Sequence, residues 1–227
     1  MAPDTSQVRI TGPEDFQAYF EVSDETIQRL EIYERTLRQW QKKINLVAPS
    51  TLQDVWQRHF ADSAQLLRLA PAGARRWVDL GSGAGFPGMV LAILRADRNG
   101  ELSGERHVLI ESDSRKAAFL GEISRKTSIP VDTAVARIEL SSTQGRYTSV
   151  DVLTARALAP LDRLFDLTAP FFGTGTVALF LKGRDVQQEI KAAERKWRFT
   201  YELANSLTDQ DSRIVIVRRP EAKSEGT

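Results

Sequence analysis

A mostly parallel, seven-stranded α/β sheet with a reversed terminal strand and an N-terminal helical extension is the fold class predicted for this chain. Three observations predict it. The stretch WVDLGSGAGFPG (77–88) reads as a strand, a glycine-rich turn and a helix N-terminus. From Trp77 onward, apolar strand-like runs alternate with helical periodicities, as parallel strands joined by crossover helices do. The last two strand-like runs are joined by too short a link for a crossover helix, so they pair antiparallel.

Taken in order, residues 1–22 carry little periodicity beyond Thr11 and Glu14, which resemble a capping box for a short helix over 13–20. From Asp24, the residues Ile27, Leu30, Tyr33, Leu37, Trp40 and Ile44 recur at three- and four-residue steps and form one apolar helical face. Arg35, Arg38 and Lys42 share another face, which reads as a solvated surface in preference to an RNA-binding stripe. Pro49 disfavours helical geometry at Ala48, so INLVAPS (44–50) breaks the helix. Ser50 with Gln53 then forms a second capping-box pattern, opening a helix that carries Val55, Trp56, Phe60, Leu66 and Leu67. The division expected is a helical extension over 1–73, a core over 74–220 and a polar tail over 221–227.

In the core, Val78 and Leu80 belong to the first strand, and Pro87 falls at a first helical position. HVLIE (107–111) is a second strand, followed by a serine-capped helix over about 115–126. Residues 130–136 form a third strand and VDVLTA (150–155) a fourth, with a helix carrying Leu161, Leu164 and Phe165 after it. GTVALFL (175–181) is nearly continuous in apolar residues, so this fifth strand is buried on both faces. A helix over 185–197 and strands over 199–207 and 213–218 end the chain. One reversed strand in an otherwise parallel sheet matches Rossmann-like class I methyltransferases better than dehydrogenases, which repeat a second nucleotide-binding half.

Composition removes several chemistries. The 227 residues are 41% hydrophobic and 27% charged, enough for one core with a soluble surface. A net charge of +1 leaves any nucleic-acid affinity to local patches. With no cysteine there are no disulfides, thiolate zinc sites or thiol nucleophiles. Two histidines, His59 and His107, leave little material for a metal site, and none is expected. The start MAPDTSQVRI lacks a signal-peptide pattern and no apolar run reaches membrane-spanning length, so a cytoplasmic location is expected.

The glycine run decides the ligand class. Gly83-x-Gly85-x-x-Gly88 fits a dinucleotide fingerprint, but Asp79-x-Gly81-x-Gly83-x-Gly85 says more. An acid two residues before the first glycine disfavours a pyrophosphate and suits a ligand bearing an ammonium and a sulfonium. That favours S-adenosylmethionine over NAD. Glu111, ending the second strand 23 residues beyond Gly88, is placed to accept hydrogen bonds from ribose hydroxyls. Ile138 and Glu139, in ARIE after the third strand, are placed to border the adenine.

The fourth strand ends in TARALAPL, beside the position of a methyl donor. There is no Asn or Asp with two prolines and an aromatic, the arrangement common in amino-directed methyltransferases. Carbon-5 pyrimidine methylation needs a cysteine that this chain lacks. A guanine N7 has an exposed lone pair and no proton to lose, so alignment is the main demand. Arg156 is positioned to donate to the guanine edge, or else to pair with a neighbouring acid. Lys182, in LKG after the fifth strand, is a second cation with a phosphate as natural partner.

In this order, NLVAP (45–49), RHFADS (58–63), VDLGSGAGFPG, ARIE, TARALAPL and LKG resemble the bacterial ribosomal RNA small subunit methyltransferase G family, also called glucose-inhibited division protein B. The similarity runs over about 24–219. It implies S-adenosylmethionine-dependent N7 methylation of a guanine (position 527, in the 530 loop) of 16S ribosomal RNA in the assembled 30S subunit. It also implies cofactor contacts at Gly81, Phe86, Ile138, Glu139 and Arg156, and a place for His59 at the cofactor mouth, positioning substrate.

The expected site is therefore Arg156, His59 and Lys182 for the reaction. Asp79, Gly81, Gly83, Gly85, Phe86, Gly88, Glu111, Ile138, Glu139 and Arg156 are expected to hold the cofactor. The protein is expected to act as a monomer, with no membrane or metal partner. Departures from the family pattern are mild: Ser82, Ala84 and Phe86 replace the common threonine, proline and leucine, Glu111 replaces aspartate, and 97–106 reads as a polar insertion. A small-molecule or protein methyltransferase, a NAD-dependent oxidoreductase and a catalytically silent ribosome-assembly factor remain as rival readings. Arg35, Arg38, Lys42, Lys182, Lys191 and Arg195 are the candidate RNA contacts.

Overall fold

The computed structural model describes residues 8–99 and 104–223, which form one seven-stranded sheet of order β3-β2-β1-β4-β5-β7-β6. β1 (Arg76–Leu80), β2 (Arg106–Glu111), β3 (Asp132–Val135), β4 (Val152–Arg156) and β5 (Val177–Lys182) are parallel. β7 (Arg213–Ala222) runs antiparallel between β5 and β6 (Trp197–Asn205). The expected topology is present, and the reversed strand sits inside the sheet with β6 at its edge. Central strands read as apolar runs because helices cover both of their faces. In β5 all residues but Lys182 are buried.

α4 (Gly88–Asn99) and α5 (Ser114–Thr127) cover one face of the sheet. α6 (Ser141–Arg146), α7 (Leu161–Thr168) and α8 (Val186–Lys196) lie on the other, where Leu161, Leu164, Phe165 and Ile190 pack on Leu153, Phe180 and Val215. The extension adds a layer over α4 and α5. Phe16 of α1 (Pro13–Phe20) and Leu30, Tyr33 and Leu37 of α2 (Asp24–Gln41) join Met89, Ile93, Phe119 and Leu120 in one core. The three- and four-residue spacing in α2 thus buries one stripe on the sheet-covering helices. The Ser23 hydroxyl accepts from Thr26 N (3.2 Å) at its start, with Asp24 and Glu25 in the first turn.

Several local expectations are corrected. Thr11 does not form a box with Glu14: its N–H (2.8 Å) and hydroxyl (2.6 Å) both donate to Asp15. Ser50 caps no helix. The N–H and hydroxyl of Thr51 turn back onto the Ala48 carbonyl (2.9 and 2.8 Å), closing a 3-10 turn over Pro49–Thr51. Helical structure resumes as a π-helical turn over Trp56–Ala61, then α3 (Asp62–Ala64) and a 3-10 turn over Gln65–Arg68. The cap of α5 is Asp113, whose carboxylate accepts from the N–H groups of Arg115 (2.8 Å) and Lys116 (3.3 Å), and not a serine. α4 begins at Gly88, one residue past Pro87, whose carbonyl accepts from Leu91 N. β7 continues to Ala222, past the expected core boundary at 220. Of the polar segment 97–106, residues 100–103 lie outside the described residues, as do 1–7 and 224–227. No helix among the described residues is long and apolar enough to cross a membrane.

Candidate active site

The C-terminal ends of the parallel strands and the start of β7 share one side of the sheet, where open α/β sheets hold ligands. Two cavities lie along it and share Ala157 and Leu158. The smaller, about 350 Å³, is walled by Gly81, Gly83, Glu111, Ile138 and Glu139. The larger, about 750 Å³, is walled by Val47, His59, Asp62, Arg156, Lys182 and Glu189.

The smaller cavity is shaped by the turn after β1. Gly81, Gly83 and Gly85 all take positive φ. Gly81 turns at a φ of 65°, which favours glycine, and a Cβ there would press on Leu158 Cδ1 at 2.6 Å. Ser82 N donates to the Ile110 carbonyl (3.0 Å) and ties the turn to β2. Glu111 braces it further, accepting from Gly83 N at Oε2 and from Asp113 N at Oε1, both at 2.8 Å. Each carboxylate oxygen has a second lone pair to offer a ligand.

Asp79, Gly85, Phe86 and Gly88 line neither cavity. Strand alternation puts Asp79 on the same face of β1 as Trp77, beneath the start of α4. A Cβ at Gly88 would stand 2.5 Å from Asp79 Cβ, which shows how closely the helix start sits on this carboxylate. Thr154 Oγ1 donates to Asp79 Oδ1 (2.6 Å), and Oδ2 has no partner among the described residues. Burial pushes its pKa up to about 6, opposed by the hydrogen bond from Thr154. Asp79 therefore lies beneath the turn, against the start of α4, and outside the walls of both cavities.

The Phe86 ring is likewise packed away, stacked on Tyr33 (5.2 Å, 3°) and on His59 (4.8 Å, 21°). Tyr33 donates its hydroxyl proton to the Ala84 carbonyl, so α2 grips the glycine turn directly. Arg156 Cζ lies 5.1 Å from the Phe86 centroid, within cation–π range.

The larger cavity is the charged one. Arg156 donates to the Arg58 carbonyl (3.1 Å) and pairs with Asp62 at 3.5 Å. Burial pushes the Asp62 carboxyl pKa up, opposed by Arg156 and by the Thr208 hydroxyl, which donates to Oδ1 (2.8 Å). His59 Nε2 and Thr51 Oγ1 are 2.8 Å apart, while Nδ1 has no partner among the described residues. The single proton of Thr51 goes to the Ala48 carbonyl, so Nε2–H is the donor to Thr51. Burial, with Arg156 and Arg58 nearby, lowers the His59 pKa to about 3, and the ring is neutral at physiological pH. Lys182 lines this cavity but is engaged within the protein. Its ammonium donates to the Ala159 carbonyl (2.6 Å) and pairs with Glu189 (2.7 Å), which fixes the loop after β4.

The structure thus brings Gly81, Gly83, Glu111, Ile138 and Glu139 together at one cavity and His59, Arg156 and Lys182 at the next. Sequence reasoning missed the partners: Asp62, although it stands in RHFADS, Glu189, and the 206–212 loop. That loop clamps RHFADS through Thr208–Asp62 and Arg58–Asp209 (2.9 Å). Among the expected RNA contacts, Arg38 is paired with Glu34 (2.7 Å), whereas Arg35, Lys42, Lys191 and Arg195 are exposed.

A glycine turn after β1, an acid ending β2 and a seven-stranded sheet with β7 reversed define a Rossmann-like methyltransferase fold. Solved structures similar to it include a methyltransferase from Geobacter sulfurreducens, with a TM-score of 0.56 and 12% identity over 90% of this chain and 96% of that one. An O-methyltransferase from Bacillus cereus in complex with SAH has a TM-score of 0.54 and 14% identity, over 91% of this chain and 100% of the other. Sequence narrows the class. The family described as rRNA small subunit methyltransferase G matches residues 26–215, and the chain belongs to it. Proteins named ribosomal RNA small subunit methyltransferase G are 48% identical over 210 residues in Parvibaculum lavamentivorans (92% of this chain, 90% of that one) and 50% identical over 197 residues in Methylorubrum populi (86% and 90%).

Proposed function

We propose that this chain methylates N7 of one guanine of 16S ribosomal RNA, at position 527 in the 530 loop. S-adenosylmethionine would be the donor and the assembled 30S subunit the substrate, with the protein acting as a cytoplasmic monomer. The reading is carried by the adjacency of the two cavities, both lined by Ala157 and Leu158, which sets a site of about 350 Å³ beside a larger charged chamber. Membership of the family supports the choice of ribosomal RNA.

The residues fit such a donor. The turn at Gly81 and Gly83 exposes backbone to close approach, Glu111 retains lone pairs for ribose hydroxyls, and Ile138 and Glu139 flank the place of the adenine. When bound, the donor supplies a methyl group on a positively charged sulfur.

The protein's own share is binding and alignment. Guanine N7 has no proton to remove, which suits a neutral His59 that positions without acting as a base. Arg156, held by Asp62 and the Arg58 carbonyl, presents N–H donors to guanine O6. Asp62 offsets its charge, which matters because N7 becomes positive as it is methylated. Lys182 holds the Ala159 carbonyl and so fixes the wall that the two cavities share.

The test is transfer of labelled methyl groups to undermethylated 30S subunits, naked 16S RNA and a small-molecule mixture, followed by mass mapping. Label at N7 of a single guanine on 30S subunits, lost in Arg156→Ala, is the expected result. Cofactor binding with no transfer to any RNA would sink the substrate assignment.

A further inference from the structure

The larger cavity holds a carboxylate that neither donor binding nor the alignment of N7 uses. Glu189, on the first turn of α8, lines it with a side chain 24% exposed. One oxygen, Oε2, is doubly anchored: it pairs with the Lys182 ammonium (2.7 Å) and accepts from Leu161 N (2.8 Å). These anchors come from β5 and the start of α7, so the carboxylate is fixed from two sides. Oε1 has no hydrogen-bond partner among the described residues. A carboxylate oxygen is an acceptor only, so an unpaired one on a cavity-lining residue selects for a donor.

The order of the sheet says which donor. The smaller cavity lies over β1 and β2, the shared wall at Ala157 and Leu158 follows β4, and Lys182 with Glu189 lies one strand further out, at β5. A guanine whose N7 faces the shared wall turns its opposite, Watson–Crick edge outward. That edge carries the N1–H and N2–H₂ donors, whereas adenine offers a lone pair at N1. Flipped bases are read on this edge.

We propose that Glu189 is a specificity-determining residue whose free Oε1 accepts from the N1–H and N2–H₂ edge of the target guanine. The assignment rests on the guanine-N7 reading above. Lys182 is then a positioning residue, holding Oε2 and leaving Oε1 for the base.

The test uses 30S subunits reconstituted on 16S RNA with guanosine, inosine or adenosine at the target position. Methyl transfer is measured for the full-length protein and for Glu189→Gln. Inosine lacks the N2 amino group, and adenosine lacks both donors. The wild type is expected to prefer guanosine over each analogue by roughly tenfold to hundredfold, and the glutamine variant to compress both ratios to within about threefold. S-adenosylmethionine affinity unchanged in the variant shows that the fold and the smaller cavity are intact. A variant that keeps the wild-type ratios, merely slowed on all three substrates, overturns the assignment and leaves Glu189 as a latch for Lys182. If the variant does not fold, the wild type decides alone: equal rates on the three subunits overturn the proposal, and graded rates support it. A wild type that methylates none of them refutes the guanine reading itself, and this inference with it.

Discussion

The Arg156 guanidinium stands 3.5 Å from the Asp62 carboxylate, joining the end of β4 to α3 across the larger cavity. Both side chains are largely buried, at 19% and 15% exposure. Removing one partner therefore strands a charge that water only partly solvates. Asp62→Asn is expected to cost about 2 kcal/mol of stability, below the range for fully buried pairs. It should also lower kcat/KM by more than tenfold, because Arg156 loses its orientation. Urea unfolding and single-turnover methyl transfer check the two effects. In the double variant with Arg156→Ala the stability costs should fall short of additive, since the pair is lost only once.

Asp79 predicts a pH dependence with a definite sign. Its folded pKa is raised to about 6 by burial, above the ordinary carboxylate value of 3.8. Between those values the folded state holds a proton that the unfolded state releases. The group is thus neutral in its effect below about pH 4, and it costs stability progressively as pH rises through about 6. Asp79→Asn removes that cost. The variant should match the wild type near pH 4 and exceed it at pH 8 by on the order of 1–3 kcal/mol. Urea titrations at several pH values, taken as variant minus wild type, isolate this group from the other carboxylates. A difference that does not grow with pH would show that Asp79 is not titrating as a buried acid.

His59 predicts the opposite slope. Its pKa is depressed to about 3 by burial and by the cations Arg156 and Arg58. Between about 3 and the ordinary value of 6.5 the unfolded chain binds a proton that the folded one refuses, so stability falls as pH drops through that window. Above it the ring is neutral and contributes nothing that varies. Proton–nitrogen correlation spectra of the folded protein should show the His59 ring unchanged from pH 8 to pH 5, with the proton on Nε2. Methyl transfer should likewise show no rate limb near pH 6.5. A midpoint near 6.5 would count against the buried, neutral ring.

The parts of this molecule that were legible in its sequence are those dictated by neighbours along the chain. Strand runs such as VALFL are apolar because both faces of the sheet are covered, and that pattern survives in one dimension. The glycine turn is legible because its positive φ values demand glycine wherever the chain goes next. The π-helical turn at Trp56–Ala61 was not legible, because a helix and a π turn share the same apolar residues. Nor was the state of Lys182: its partners Ala159 and Glu189 come from a loop and a helix that only the folded sheet brings beside it. Asp79 lies between these cases. Alternation along β1 gives it the face of Trp77, toward α4, even though its place before the glycines invites a ligand role.

Tyr33 tests whether the N-terminal layer is part of the site or only packed upon it. Its ring stacks on Phe86 and its hydroxyl donates to the Ala84 carbonyl, inside the glycine turn. Tyr33→Phe keeps the ring packed against Phe60, Phe86 and Phe119 while deleting only the hydroxyl. The Ala84 carbonyl then loses a buried donor, at a cost of about 1–3 kcal/mol. If α2 holds the turn in its ligand-ready shape, part of that loss should appear as weaker S-adenosylmethionine binding, by about threefold to tenfold in calorimetry. Stability should fall as well, but kcat at saturating cofactor should change little, because His59 and Arg156 keep their own partners Thr51 and Asp62. Loss of stability with unchanged cofactor affinity would instead make Tyr33 a core residue whose hydroxyl serves the fold alone.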